Sequence, residues 1–167
     1  MKPILAVFWN ICLLRRGPEL VPTHPMFVGG VLVADMLVSF FVGLQFGDAL
    51  TPMQVATRVI VSMATTAAAA WMMLSMRDVI TRYPATITAL FGCDLLFTLL
   101  SAILVPLASS EATALKAGII DLIVIWSIAV NGFILHRAMN VTVFIGILLA
   151  LGTAFLGGAL SFAASGP

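Results

Sequence analysis

The chain has 167 residues, and its composition excludes a soluble globular domain. Hydrophobic residues make up 62% and charged residues 9%, whereas an ordinary globular domain carries about 25% charged residues. Disorder is excluded as well, because disordered chains are poor in apolar residues. The net charge of +1 offers no basic field for nucleic acid. We therefore predict a polytopic membrane protein.

The first 16 residues form an apolar segment that is too short to cross a bilayer. Residues 4–14 are apolar, but a spanning helix needs about 20 residues. Arg15 and Arg16, followed by Gly17 and Pro18, end the segment, and no small-residue cleavage site of a signal peptide follows it. We predict an interfacial or re-entrant helix over residues 1–16, with Trp9 as an interface anchor.

Residues 17–25 contain three prolines and one glycine, and we predict a linker there. Five apolar stretches of spanning length follow, and none shows the alternation of a bilayer strand. We therefore predict an all-α fold, with a five-helix transmembrane domain over residues 26–164. The predicted spans are about 26–47, 54–76, 84–108, 114–135 and 141–164. The connections, which include Ser109 to Glu111, leave no room for a soluble domain.

Lysine and arginine are distributed unequally between the two sets of loops. One side of the membrane would carry six of them: Lys2, Arg15, Arg16, Arg77, Arg82 and Arg137. The other side would carry only Lys116, with Arg58 inside the second span. Because positive residues favour the cytoplasmic side, we predict a cytoplasmic amino terminus and a carboxy terminus across the membrane.

Two aspartates lie near the bilayer midplane and are the first candidates for function. Asp35 and Asp94 are each about ten residues from one end of their spans, which places them near the middle at helical rise. An acidic residue there costs about 2.5–3.5 kcal/mol. Two neighbouring aspartates would not both stay ionised, because like charges repel. They form either a proton or cation site, or neutral or hydrogen-bonded groups that lock helix packing or face a partner subunit.

Arg58 and Asp121 lie at similar depths in the second and fourth spans. We predict that they form a buried ion pair and that their helices are neighbours or are bridged by one helix. The alternative is that Arg58 extends to the outer headgroups. Pairing would leave Asp35 and Asp94 as the unpaired acids.

The fifth span carries small residues at every fourth position: Gly146, Ala150, Ala154 and Gly158. Such a stripe lets helix backbones approach closely in a membrane. We predict that it packs against another helix, either within the chain or in a homo-oligomer. A Gly158→Ile substitution is expected to force two backbones apart.

The sequence offers little for enzymatic or metal chemistry. Cys12 and Cys93 stand in separate apolar runs, and we expect reduced, buried thiols without a partner. His24 and His136 stand alone. There is no HExxH, GxSxG or phosphate-binding-loop motif. We predict no enzyme activity, no cofactor and no metal.

The order of parts resembles the Yip superfamily, five-span proteins named in eukaryotes for interaction with Rab GTPases. The resemblance rests on the topology and on residues 14–22 (LRRGPELVP), which are similar to the Gly-Pro stretch ahead of the first span in small bacterial proteins of this layout. It implies a multi-pass protein of a bacterial inner membrane. In a Gram-negative host, the carboxy terminus that the lysine and arginine distribution places across the membrane would then be periplasmic. Rab-type binding is not expected, because the sequence lacks a long amino-terminal region, and no site residue is carried over.

Two functions remain open at this point. The first is a non-enzymatic membrane protein that acts through helix packing, either with itself or as a subunit of a larger membrane complex. Its partners would be the lipid bilayer and a second copy or other membrane subunits, and not nucleic acid. The alternative is a small proton or cation channel or transporter that uses the intramembrane aspartates.

Overall fold

The computed structural model describes residues 4–46, 50–107 and 113–165. Over these residues the chain is all-α, as predicted, and five of its helices are long and apolar enough to cross a membrane. The protein is therefore a multi-pass membrane protein. A short helix, α1 (Ile4–Cys12), precedes the five spans, and a single turn of 3₁₀ helix (Pro18–Leu20) lies between.

The five spans are α2 (Pro25–Phe46), α3 (Pro52–Met76), α4 (Tyr83–Leu107), α5 (Thr113–Met139) and α6 (Val143–Ser165). Their bounds agree with the predicted spans to within about four residues. The predicted ends at residues 47 and 108, and the break over Ser109 to Glu111, lie outside the described residues. α5 continues past its predicted end at residue 135 because no helix-breaking residue follows until Asn140, which takes a left-handed φ of 57°.

The start of α3 is fixed by local chemistry that is visible in the sequence. Thr51 accepts a hydrogen bond from the backbone N–H of Gln54, and the Gln54 side chain accepts one from the backbone N–H of Thr51. Pro52 occupies the first helical position, where its missing N–H costs nothing. This capping box sets the helix start at Pro52.

The spans form a closed ring whose order differs from the chain order. α2 packs against α4, α4 against α5, α5 against α6, α6 against α3, and α3 closes the ring against α2. Successive spans run in opposite directions. We call the end that carries Arg77, Arg82 and Arg137 the basic end, and the other the opposite end.

α1 lies against the outside of α4 and α5. Ile11 is fully buried, and Trp126 Nε1 donates a hydrogen bond to the backbone carbonyl of Cys12 at 3.1 Å. Phe8 packs directly on Gly92. Because Gly92 and Trp126 lie near the middle of their helices, α1 reaches towards the bilayer centre, which favours the re-entrant alternative. The side chain of Trp9 is exposed.

The two cysteines are free and buried, as expected, but the expectation that they are isolated from each other is wrong. Both thiols are buried in the same apolar cluster, and they are close enough to interact across the α1–α4 contact. The reason is the position of α1, which brings Cys12 to the depth of Cys93.

Candidate functional site

The ring of five helices encloses a cavity of about 490 Å³. Every span contributes to its wall, and the wall extends along α3 from Arg58 to Met73. Fifteen residues separate these two positions, which corresponds to about 22 Å at helical rise. The cavity therefore occupies most of the height of the bundle.

Polar side chains on all five helices face this cavity. On α3 they recur at every fourth position, so that they form one stripe along the helix. α5 and α6 repeat the pattern with hydroxyl and amide groups. The uncharged polar residues of the wall are Ser39, Ser62, Thr66, Ser127, Asn131, Thr153 and Ser161.

Asp35 lines the cavity from α2 and is fully buried. Neither of its carboxylate oxygens has a hydrogen-bond partner among the described residues. An ionised carboxylate without a partner is very costly in such a position, because nothing replaces its lost hydration. Asp35 therefore requires a proton, or a cation brought in from outside the chain.

Asp94 lines the same cavity from α4 and differs from Asp35 in its access. It lies deep within the bundle, yet its side chain is exposed, because it faces the open space of the cavity. Asp94 is also close enough to Asp35 for the two carboxyl groups to interact electrostatically. The structure thus brings the two predicted midplane acids together at one site, one buried and one accessible.

Arg58 is the third charged residue in the wall of the cavity, and its predicted partner is wrong. Its Nε donates a hydrogen bond to Ser165 Oγ at 3.0 Å, and its guanidinium group lies over the ring of Phe162 at 5.9 Å. Asp121 is exposed, does not line the cavity and makes no ion pair with Arg58 in the part of the chain described. The physical reason is that α3 packs on α6, so the partners within reach of Arg58 lie at the end of α6.

Only part of the small-residue stripe of α6 packs against another helix. Gly146 and Ala150 are buried, and Gly146 lies against α5. Ala150, Ala154 and Gly158 line the cavity, and the last two are exposed. A Cβ added at Gly158 would meet no atom within 4 Å. The prediction that Gly158 lies against another helix, and that Gly158→Ile forces backbones apart, is therefore wrong.

α6 contacts α3 through other residues instead. Gly157 and Ser161 are buried, and Ser161 Oγ donates a hydrogen bond to the backbone carbonyl of Arg58 at 3.2 Å. A Cβ at Gly157 would lie 3.8 Å from Ser62 Oγ, at ordinary contact distance.

Sequence reasoning missed most of the hydroxyl-rich wall, although a signal was present. Arg58, Ser62 and Thr66 follow one another at intervals of four, and so do Ser127 and Asn131. Such spacing places polar groups on one helix face. Serine and threonine can also bond their own helix backbone, as Thr65 does, so single hydroxyls carry little information.

The cavity offers few protein ligands for a metal ion. Among the described residues, no group of three or more histidine, cysteine, aspartate or glutamate side chains could hold one. The charged groups in the wall are the two acids and Arg58. This set fits the exchange of protons or monovalent cations better than the coordination of Ca²⁺ or Mg²⁺, which take six or more oxygen ligands.

The chain cannot be placed by likeness to known proteins. No protein-family model matches it, and the searches of curated proteins and of solved structures give no match either. The resemblance to the Yip superfamily therefore stays a prediction.

Proposed function

We propose that the protein moves protons or other small cations across the membrane, with Asp35 and Asp94 as the exchange site. The observation that carries this proposal is the placement of both acids in the wall of one intramembrane cavity, where the Asp35 carboxyl has no hydrogen-bond partner among the described residues. Ionisable residues at this depth are costly. Placing two of them beside an open space has a physical purpose if they take up and release a charge.

The two acids differ in their access to the cavity, and this difference gives them different roles in the proposed cycle. Asp94 meets the contents of the cavity directly, whereas Asp35 lies behind it and is fully buried. In the proposed cycle Asp94 exchanges its proton with the cavity, and the pair holds at most one negative charge when no cation is bound. Electrostatic repulsion between neighbouring carboxylates supports this sharing.

Closure at the basic end favours a transporter over an open pore. Leu74 and Ile134 are fully buried there, and Leu135 nearly so. Tyr83 Oη donates a hydrogen bond to the backbone carbonyl of Ala67 at 3.3 Å, which ties α4 to α3. At the opposite end the wall is polar. An ion that enters from that end therefore needs a change in helix packing before it can leave through the basic end.

The small-residue stripe of α6 no longer supports the alternative function, in which the protein acts by packing against a second copy or another membrane subunit. Three of the four residues in the small-residue stripe that favoured a contact between copies line the cavity instead. Association with a second copy or with another membrane subunit stays a prediction, and the cavity lies within a single chain.

Location and orientation are part of the same proposal. We propose an inner-membrane location with a cytoplasmic amino terminus, on the basis of the distribution of lysine and arginine. The basic end would then face the cytoplasm, and the polar part of the cavity would lie towards the periplasm.

Proton flux into proteoliposomes that contain a pH-sensitive dye tests the proposed function. With a monovalent cation supplied on the opposite side as an exchange partner, the wild-type protein should carry protons down an imposed pH gradient. Asp35→Asn and Asp94→Asn should each lower the rate at least tenfold. Asp121→Asn is the matched control, because this acid lies in a span but outside the cavity, and its rate should equal that of wild type. Flux no faster than in protein-free vesicles, or equal flux in all variants, would overturn the proposal.

A further inference from the structure

We propose that the cargo of the cavity is a small organic cation, an ammonium group with an apolar body, which binds at Asp35 and Asp94 in exchange for a proton. This inference rests on the proposed function and specifies its substrate class. The two can fail separately, because proton exchange at the acids does not require that the cavity accept an organic molecule.

The size of the cavity supports a molecule rather than a bare ion. A volume of about 490 Å³ lies within the range of pockets that hold small organic ligands, roughly 300–1,000 Å³. An inorganic cation would leave most of this space unfilled and would find only two carboxyl groups as charged ligands.

The wall around the acids is suited to an ammonium group. Leu90 and Phe91 precede Asp94 by four and three residues on α4 and line the same cavity, so that all three share one helix face. An ammonium group that approaches the Asp94 carboxylate can therefore also contact an aromatic ring, which attracts cations through its π face. One turn of α4 therefore supplies both the counter-charge and the aromatic contact for the ammonium group.

The rest of the wall provides contacts for an apolar body. Met63, Met73, Ile128 and Leu135 line the cavity together with Val59, and methionine side chains adapt to irregular apolar shapes. Val59 also lines a second pocket of about 200 Å³, which lies between α2 and α3 and is wholly apolar. Val59 is thus a wall residue of both pockets, at the α2–α3 contact.

The charges balance for a one-for-one exchange. When a monovalent cation binds, one neutral carboxyl group loses its proton to the solvent and becomes the counter-ion, so the total charge within the cavity is unchanged. Arg58, held by Ser165 and Phe162 at the opposite end, adds a positive charge that disfavours a second cation. The stoichiometry that follows is about one proton released for each cation bound.

The experiment measures binding and proton release with purified protein in weakly buffered detergent solution. The probe is benzyltrimethylammonium, and benzenesulfonate, sodium and tetramethylammonium are the comparison solutes. Benzyltrimethylammonium should bind and release about one proton per molecule, and benzenesulfonate should do neither. Asp35→Asn and Asp94→Asn should weaken binding at least tenfold and abolish proton release. Asp121→Asn should match the wild type.

A second variant tests the volume argument without altering an acid. Gly158 faces open cavity space, so Gly158→Leu should fill part of the cavity. It should weaken binding of benzyltrimethylammonium at least fivefold and leave tetramethylammonium within twofold. Equal weakening of both cations, or of neither, would overturn the assignment of an apolar body.

The outcomes separate this inference from the proposed function. If benzyltrimethylammonium does not bind, or binds no better than sodium, while proton flux still depends on Asp35 and Asp94, the inference is wrong and the proposed function stands. If proton flux is also independent of the two acids, both are wrong. Binding that survives both aspartate substitutions would place the cation elsewhere and would overturn the inference.

Discussion

Gly146 of α6 lies directly against the carbonyl oxygen of Gly132 of α5, and this contact sets the distance between the two helices. A Cβ at Gly132 would lie 2.7 Å from Cα of Ile147, and a Cβ at Gly146 would lie 3.0 Å from Cβ of His136. No side chain fits between these backbones. The pair is an example of small residues that allow close helix approach in a membrane.

We therefore expect Gly146→Leu to destabilise the protein, because it separates α5 and α6. Overpacking typically costs about 1–3 kcal/mol, and a backbone contact leaves little room for relaxation. The measurement is thermal unfolding in detergent. Gly158→Leu, twelve residues further along the same helix, is the matched control and should unfold within about 0.5 kcal/mol of wild type. Equal losses in the two variants would contradict the contact.

Arg58 and Ser165 should be energetically coupled. We expect this from a double-mutant cycle of Arg58→Met and Ser165→Ala. The loss of unfolding free energy in the double mutant should be smaller than the sum of the two single losses by about 0.5–1.5 kcal/mol, because the residues share one hydrogen bond. The same cycle with Arg58→Met and Asp121→Leu should be additive. A larger coupling energy between Arg58 and Asp121 than between Arg58 and Ser165 would contradict this expectation and support the ion pair predicted from the sequence.

Mild oxidation should link Cys12 to Cys93. The two free thiols are buried in one apolar cluster where α1 packs on α4, so an oxidant that enters the membrane can join them. After copper-phenanthroline treatment and cleavage between the two positions, the fragments should stay joined on a gel without reductant and separate with it. Cys12→Ser is the control. Fragments that separate without reductant would show that α1 does not rest on α4.

The orientation can be checked by labelling engineered cysteines in intact cells. Gly166→Cys should react with a membrane-impermeant maleimide added from the periplasmic side, whereas Met26→Cys, at the basic end, should react only after permeabilisation. The expectation follows from the excess of lysine and arginine on one side of the spans. The reverse pattern would invert the topology.

Features that depend on position along a helix could be predicted from the sequence. The five spans were predictable because each has enough apolar residues to cross a bilayer, and Asp35 and Asp94 stood out because charge is rare at that depth. Their meeting at one cavity was not predictable, because the ring order of the helices is set by packing and differs from the chain order.

Features that depend on rotation about a helix axis were not predictable. Gly157 and Gly158 are neighbours of the same residue type, but they point about 100° apart. One is buried where α6 meets α3, and the other faces the cavity. Likewise, Arg58 and Asp121 lie at similar depths, but depth does not determine the direction in which a side chain points from its helix axis. The packing of α3 on α6 directs Arg58 to the end of α6 and away from Asp121.

The docking of α1 determines the order in which this chain can be assembled. Trp126 Nε1 and the Cys12 carbonyl that accepts its hydrogen bond are 114 positions apart. α1 therefore cannot take its place until α5, which is synthesised much later, has entered the membrane. Until then Phe8 and Ile11 need another apolar environment, which the boundary between headgroups and acyl chains can supply. α1 is thus synthesised before the five spans but reaches its final position only after four of them are in the membrane.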